Sequence, residues 1–201
     1  MSVAAGVHGE ARTSTGWSNQ KFGLVLFIAS EAILFGSLFA NYFYNRAYSH
    51  GWPPEGGAVQ ERVPVFPLAV ILTVILLSSG WTCHNAVEAI KSGARSEMLG
   101  WLGVTIVLGA SFLSGQAYEY TNLFREGMTP SSGLYGTTFF ALTGMHGAHV
   151  LVGVLLLIAM YARGAAGHFS SRHYFGLEGA TLYWHFVDLV WVALFLAVYL
   201  I

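Results

Sequence analysis

Five long stretches of this chain carry almost no Asp, Glu, Lys or Arg, and that constrains its fold more than any other feature. Phe22–Tyr44 is 23 residues with Glu31 as its only charge, Val63–Val87 is 25 residues with none, and Met98–Tyr118 is 21 with none. Leu134–Ala162 is 29 residues with none, and Gly179–Ile201 is 23 with Asp188 alone. At about 1.5 Å per helical residue, each is long enough to cross about 30 Å of hydrocarbon. Together they take up most of the 201 residues and leave no room for a soluble domain. Strands of a membrane barrel would alternate apolar and polar with period two, and runs such as AVILTVILL do not. The expected fold is an all-α integral membrane protein, a bundle of five transmembrane helices. Residues 1–21 read as an N-terminal cytoplasmic tail without the apolar core of an export signal, and 22–201 as a single membrane domain.

Composition agrees and excludes other classes. Charged residues are 9% of the chain, against roughly 25% in a soluble domain. A soluble enzyme of this size could not build a hydrated surface from them. The net charge of −1 offers no basic field for nucleic acid. A single cysteine rules out a disulfide framework and Cys-rich metal or haem-attachment motifs.

Orientation follows from Lys and Arg in the short loops. Arg12, Lys21, Lys91, Arg95, Arg163 and Arg172 would lie on the side of the N-terminus, against Arg46, Arg62 and Arg125 opposite. The bias predicts the N-terminus inside and the C-terminus outside. Gly-Trp-Pro-Pro-Glu-Gly-Gly at 51–57 reads as an irregular loop, because prolines break a helix interior. Pro64 and Pro67 are tolerable near a helix start. Gly136, Gly144, Gly147 and Gly153, with Ala148, mark the fourth span as the one packed tightest against its neighbours.

The polar residues inside the spans are the candidate functional groups, since ionisable side chains in hydrocarbon cost about 2.5–3.5 kcal/mol. Glu31 sits nine residues into its span, about 14 Å deep by helical rise. It reads either as a packing polar group or as a participant in proton handling. Asp188 lies at similar depth in the last span, with His185 one turn before it. His146 and His149 share a face, and His84 is near the inner end of the second span. The simplest reading of His84, His146, His149, His185 and Asp188 is a buried polar network that registers the helices. A haem held by His149 and His185 is the alternative. Cys83 beside His84 is no metal site by spacing, since adjacent helical residues diverge by about 100°. Trp17, Trp52, Trp101 and Tyr118 read as an interfacial aromatic belt. Trp184, Asp188 and Trp191 share one helix face, as an inter-helix seam would require.

Several blocks resemble a known family. FIASEAILFGSLFANYFY, GWPPEG, GQAYEY, LTGMHGAHVLVG and HFSSRHYFGLEGATLYWHFVDLVW resemble subunit III of the haem–copper terminal oxidases, in the expected order from about Phe22 to the C-terminus. The chain looks like the short five-helix bacterial form, which lacks the first two helices of the seven-helix members. The family's inside N-terminus agrees with the charge count.

The resemblance implies an accessory subunit of a proton-pumping oxygen reductase, with no redox centre and no metal of its own. Haem and copper would belong to partner subunits. The implied partners are catalytic subunit I, subunit II and membrane lipids, with cytochrome c as electron donor of the complex but not bound here, and no nucleic acid. A bound phospholipid is implied. The implied location is the bacterial cytoplasmic membrane. On the family pattern Glu31 is a buried acid linked to proton uptake, Phe27 lines a lipid cleft, Arg163 meets a lipid phosphate, and His173 lies close by in the motif. The WPP loop and GQAYEY look more like the cytochrome c-oxidising branch than the related quinol-oxidising one. A haem-bearing membrane anchor and a free-standing proton channel are the rivals from other classes.

Overall fold

The computed structural model of the chain describes residues 18–54 and 67–200. Arg12, Trp17, Glu55–Gly57, Arg62, Pro64, the first residues of the expected second span and Ile201 lie outside the described residues. Five helices are long and apolar enough to cross a membrane among those described. They are α1 (Asn19–Tyr48), α2 (Leu68–Lys91), α3 (Arg95–Arg125), α4 (Leu134–Ala165) and α5 (Phe175–Leu194), which continues as a π-helical turn over Phe195–Leu200. Among the described residues the regular structure is helical apart from one isolated bridge, as in a multi-pass membrane protein.

The helices outrun the charge-free stretches, mostly at their ends. Charge ends a hydrophobic run but not a helix, because Lys, Arg and Glu are good helix formers at the headgroup level. The third helix is extended most, by seven residues past Tyr118 to Arg125. Pro67 stands immediately before α2, where its missing N–H costs nothing.

The chain divides into two compact units, Met1–Leu34 and Phe35–Ile201. In the first, the described residues are Ser18 and the opening of α1, where Phe27 is exposed and Glu31 half-buried. Ser30 Oγ donates to the Phe27 carbonyl at 2.7 Å, which satisfies the hydroxyl within its own helix.

The second unit is held by a regular stripe. In α3 the buried residues are Met98, Leu102, Thr105, Gly109, Phe112, Gln116, Glu119 and Leu123, spaced alternately by four and three. This 3.5-residue period keeps one seam facing the neighbours along the full helix. Glycines on the seams leave room for side chains of the neighbouring helices. A β-carbon at Gly109 would lie 2.7 Å from Trp184 Cη2, and one at Gly153 would lie 2.7 Å from Trp184 Cε3. A β-carbon at Gly147 would lie 2.7 Å from Gln116 Oε1, and one at Gly136 would lie 2.5 Å from the Thr129 carbonyl. The fourth span is therefore tightly packed against neighbouring helices at Gly147 and Gly153, and against the loop leading into it at Gly136. Gly144 differs, with room for a β-carbon 3.5 Å from Tyr120 Oη.

Loops are closed by glycine. Gly93, Gly127 and Gly167 follow α2, α3 and α4 with φ of +82°, +85° and +83°, the left-handed conformation that ends helices. Past Gly167 the chain forms a short bridge between Ser170 and His173 before α5 begins.

Candidate functional site

Polar groups on the seams bond helix to helix. Trp184 Nε1 donates to Ser79 Oγ at 3.0 Å, and Trp191 Nε1 to Thr73 Oγ1 at 3.0 Å, so two indoles of α5 pin α2. Both rings are fully buried, and Asp188 between them is 6% exposed. The face holding Trp184, Asp188 and Trp191 is thus a helix seam. Thr82 and Thr105 join α2 to α3 through their hydroxyls at 2.8 Å. Cys83 is buried with its thiol donating to Thr181 Oγ1 at 3.4 Å, whereas His84, one residue on, is exposed.

The residues of GQAYEY and LTGMHG form the joint between α3 and α4. Gln116 Nε2 donates to the Thr143 carbonyl at 2.9 Å, and Tyr120 Oη lies 2.7 Å from Thr143 Oγ1. Glu119 completes this joint toward α5, with Tyr199 Oη donating to its Oε2 at 3.0 Å. The expected third span stopped at Tyr118 because a charge follows it. Glu119 is nonetheless buried, and the signal for it is the four-three stripe, which places it in line with Phe112 and Gln116. Tyr199 lies on the π-helical turn, which the apolar pattern does not announce. Extra residues per turn rotate the following side chains relative to a straight α-helix, and here the buried side of the turn is Ala197, Val198 and Tyr199.

The five groups expected in one polar network occupy three places. His146 is fully buried, with Nε2 3.3 Å from the Val187 carbonyl and its ring beside Phe112 and Trp191. His149 is half-buried, with Nδ1 2.8 Å from the Met145 carbonyl of its own helix and its ring edge-on to Phe35 at 4.9 Å. His84, His185 and Asp188 line one groove between α2 and α5. Within it His185 Nδ1 is 3.8 Å from Asp188 Oδ2. Among the described residues no three His, Cys, Asp or Glu side chains are grouped to hold a metal ion.

The ends of the helices carry the basic residues. Arg95 at the start of α3 donates from Nε to the Gly164 carbonyl at 2.8 Å and from Nη2 to the Ala165 carbonyl. It thereby caps the last turn of α4, where carbonyls lack helical partners. Arg163, on that same turn, is exposed and stands over the Phe169 ring at 5.2 Å. Its guanidinium also borders the first turn of α5, 3.4 Å from where a β-carbon of Gly176 would be. His173 is exposed on the bridge that follows. At the other end, Trp52 donates to Tyr42 Oη at 3.1 Å and packs edge-on against Tyr42 and Tyr135. It is part of an aromatic cluster rather than a free interfacial anchor. Trp101 stands edge-on to the exposed Trp81, and Tyr118 is 61% exposed, as belt residues are.

Fold and joints define a class: a small polytopic membrane protein whose buried polar groups mainly bond one helix to another. Comparison with known proteins is more specific. The cytochrome c oxidase subunit III family matches residues 2–201. The cytochrome c oxidase subunit 3 of Synechocystis sp. is 40% identical over 181 residues, which cover 90% of this chain and 75% of that one. The probable cytochrome c oxidase subunit 3 of Nocardia farcinica is 35% identical over 207 residues, covering 100% of both chains. That of Corynebacterium diphtheriae is 40% identical over 182 residues, covering 89% of this chain and 86% of its own. The chain belongs to the cytochrome c oxidase subunit III family.

Proposed function

We propose that the chain is the accessory subunit III of a proton-pumping haem–copper oxygen reductase, stabilising the catalytic subunit and supporting proton uptake. The observation that carries this reading is the family match from residue 2 to residue 201. Its motif residues Gln116, Glu119, Tyr120 and Thr143 bond helix to helix. Haem and copper then reside on partner subunits, and this chain contributes no catalytic centre. Cytochrome c is the electron donor of the complex, a reading supported by the relatives, which are subunits of cytochrome c oxidases.

The membrane is the bacterial cytoplasmic membrane, with the N-terminus inside. Lysine and arginine placement supports that orientation. The Arg95 contact with the end of α4 supports one shared side for Arg95 and Arg163. Arg163 is the phosphate contact of a bound phospholipid, with its guanidinium braced over Phe169 and free to offer a bidentate fork. His173 borders the same headgroup. On the first helix Phe27 contacts acyl chains, and Glu31 assists proton uptake. His146 bonds α4 to α5, His149 bonds within its own helix, and His84, His185 and Asp188 line one groove; none of the five serves as a haem ligand.

Purification of the complex through a tag on this chain tests the reading. Haem–copper absorption bands and cyanide-sensitive oxygen consumption should accompany it, and stripping this chain should leave the haems behind. A colourless, inactive preparation without partner subunits would overturn it.

A further inference from the structure

The groove between α2 and α5 is lined by Gly80, Trp81 and His84 on one side and His185, Asp188 and Leu189 on the other. Asp188 is buried, and its Oδ1 has no hydrogen-bond partner among the described residues. The nearest basic atom, His185 Nδ1, is 3.8 Å from Oδ2, beyond the 2.7–3.2 Å of an N–H···O bond. The opposite wall is shaped for this carboxyl, since a β-carbon at Gly80 would collide with Asp188 Oδ2.

Depth makes the exposure of these groups anomalous. Asp188 lies thirteen residues from the start of α5 and Gly80 eleven from the end of α2, about 20 Å and 16 Å along their helices. Both are therefore well within about 30 Å of hydrocarbon. Ionisable side chains at such depth face protein or a water-filled cavity, not lipid. Here the His185 side chain, one turn before Asp188, is 42% exposed, and His84, nearer the inner end of α2, is exposed as well. Around this polar centre the rim is apolar and open, with Trp81 62% and Leu189 68% exposed. A polar centre with an aromatic and aliphatic surround is the anatomy of a helix-packing surface.

We propose that this groove seats a transmembrane helix of a partner subunit, and that the helix presents a hydrogen-bond donor to the Asp188 carboxyl. This rests on the reading of the chain as an oxidase subunit. A lipid acyl chain would cover the rim but bring no donor. A symmetric contact with a second copy would set acid toward acid and histidine toward histidine, since a two-fold interface pairs a patch with itself. A helix meets both requirements, because it satisfies its own backbone in hydrocarbon and can carry a hydroxyl, amide or indole N–H at the required depth.

The test uses the intact complex, with a photo-crosslinking residue placed at Leu189. The expected product joins this chain to a transmembrane helix of another oxidase subunit, with a donor side chain within one turn of the linked residue. In parallel, Asp188→Leu should lower retention of that subunit through a detergent wash about tenfold, the factor that corresponds to about 1.4 kcal/mol. Asp188→Asn, which keeps an acceptor oxygen, should stay close to the parent. Cross-links only to lipid, to a second copy or to this chain itself, in a complex that retains haem and its other subunits, overturn the docking proposal and leave the functional reading standing. Failure of any haem-bearing partner to co-purify overturns both.

Discussion

The indole of Trp184 fills the space that a side chain at Gly153 would need: a β-carbon there would lie 2.7 Å from Cε3 and 2.8 Å from Cζ3. The same ring stands against Gly109 and Val154, and its nitrogen donates to Ser79. One side chain of α5 thus meets α2, α3 and α4 at once, which makes it the centre of the second unit's packing.

Gly153→Ala should therefore destabilise the subunit by about 1–3 kcal/mol, because an indole ring held on three sides cannot give way. Trp184→Phe in the same chain should recover part of the loss, giving clear non-additivity. The temperature at which the subunit leaves the purified complex would report both effects. An additive pair would contradict the contact.

Tyr199→Phe leaves the buried Glu119 without its donor, and should cost about 1–3 kcal/mol. Glu119→Gln should be milder, as the amide oxygen still accepts from Tyr199. Combining Glu119→Leu with Tyr199→Phe removes both polar partners and should lie nearer the parent than Tyr199→Phe alone. The same dissociation measurement separates the three variants.

Arg95→Ala uncovers the Gly164 and Ala165 carbonyls at the end of α4. The amides of Ala166, Gly167 and His168, which bond back to Ala162, Gly164 and Arg163, should then exchange hydrogen several-fold faster in the intact complex. Arg95→Lys should restore protection only in part, since an ammonium cannot reproduce the planar fork.

For Arg163→Ala the readouts are lipid content and active lifetime during turnover. Loss of a phosphate contact should lower tightly bound phospholipid and shorten the lifetime, with the initial rate retained. Unchanged lipid and lifetime would remove Arg163 from a lipid-binding role.

Glu31→Gln keeps the size of the side chain but cannot take up or release a proton. Assembly should stay intact and proton uptake slow modestly, measured as time-resolved proton disappearance from the inner side. Abolished oxygen reduction would be incompatible with a supporting role.

The sequence by itself determined that the chain is a five-helix membrane protein and which family it belongs to. Hydrocarbon admits so few charges, and demands so many apolar residues in a row, that span number is written in composition and run length. The tight packing at Gly147 and Gly153 was legible for a related reason, because only a missing side chain leaves room for Gln116 and Trp184 of the neighbouring helices to sit so close. What only the tertiary structure decided is where each polar group goes. Four histidines and one acid that read as one network separate into His146 in the core, His149 on α4 and a groove with His84, His185 and Asp188. Glu119 looked like the end of a span and is a buried joint to Tyr199. Run length depends only on what lipid tolerates, whereas the partner of a buried polar group depends on helix rotation and on a π-helical turn. Those are set by side-chain packing across the seams, between residues far apart in the chain.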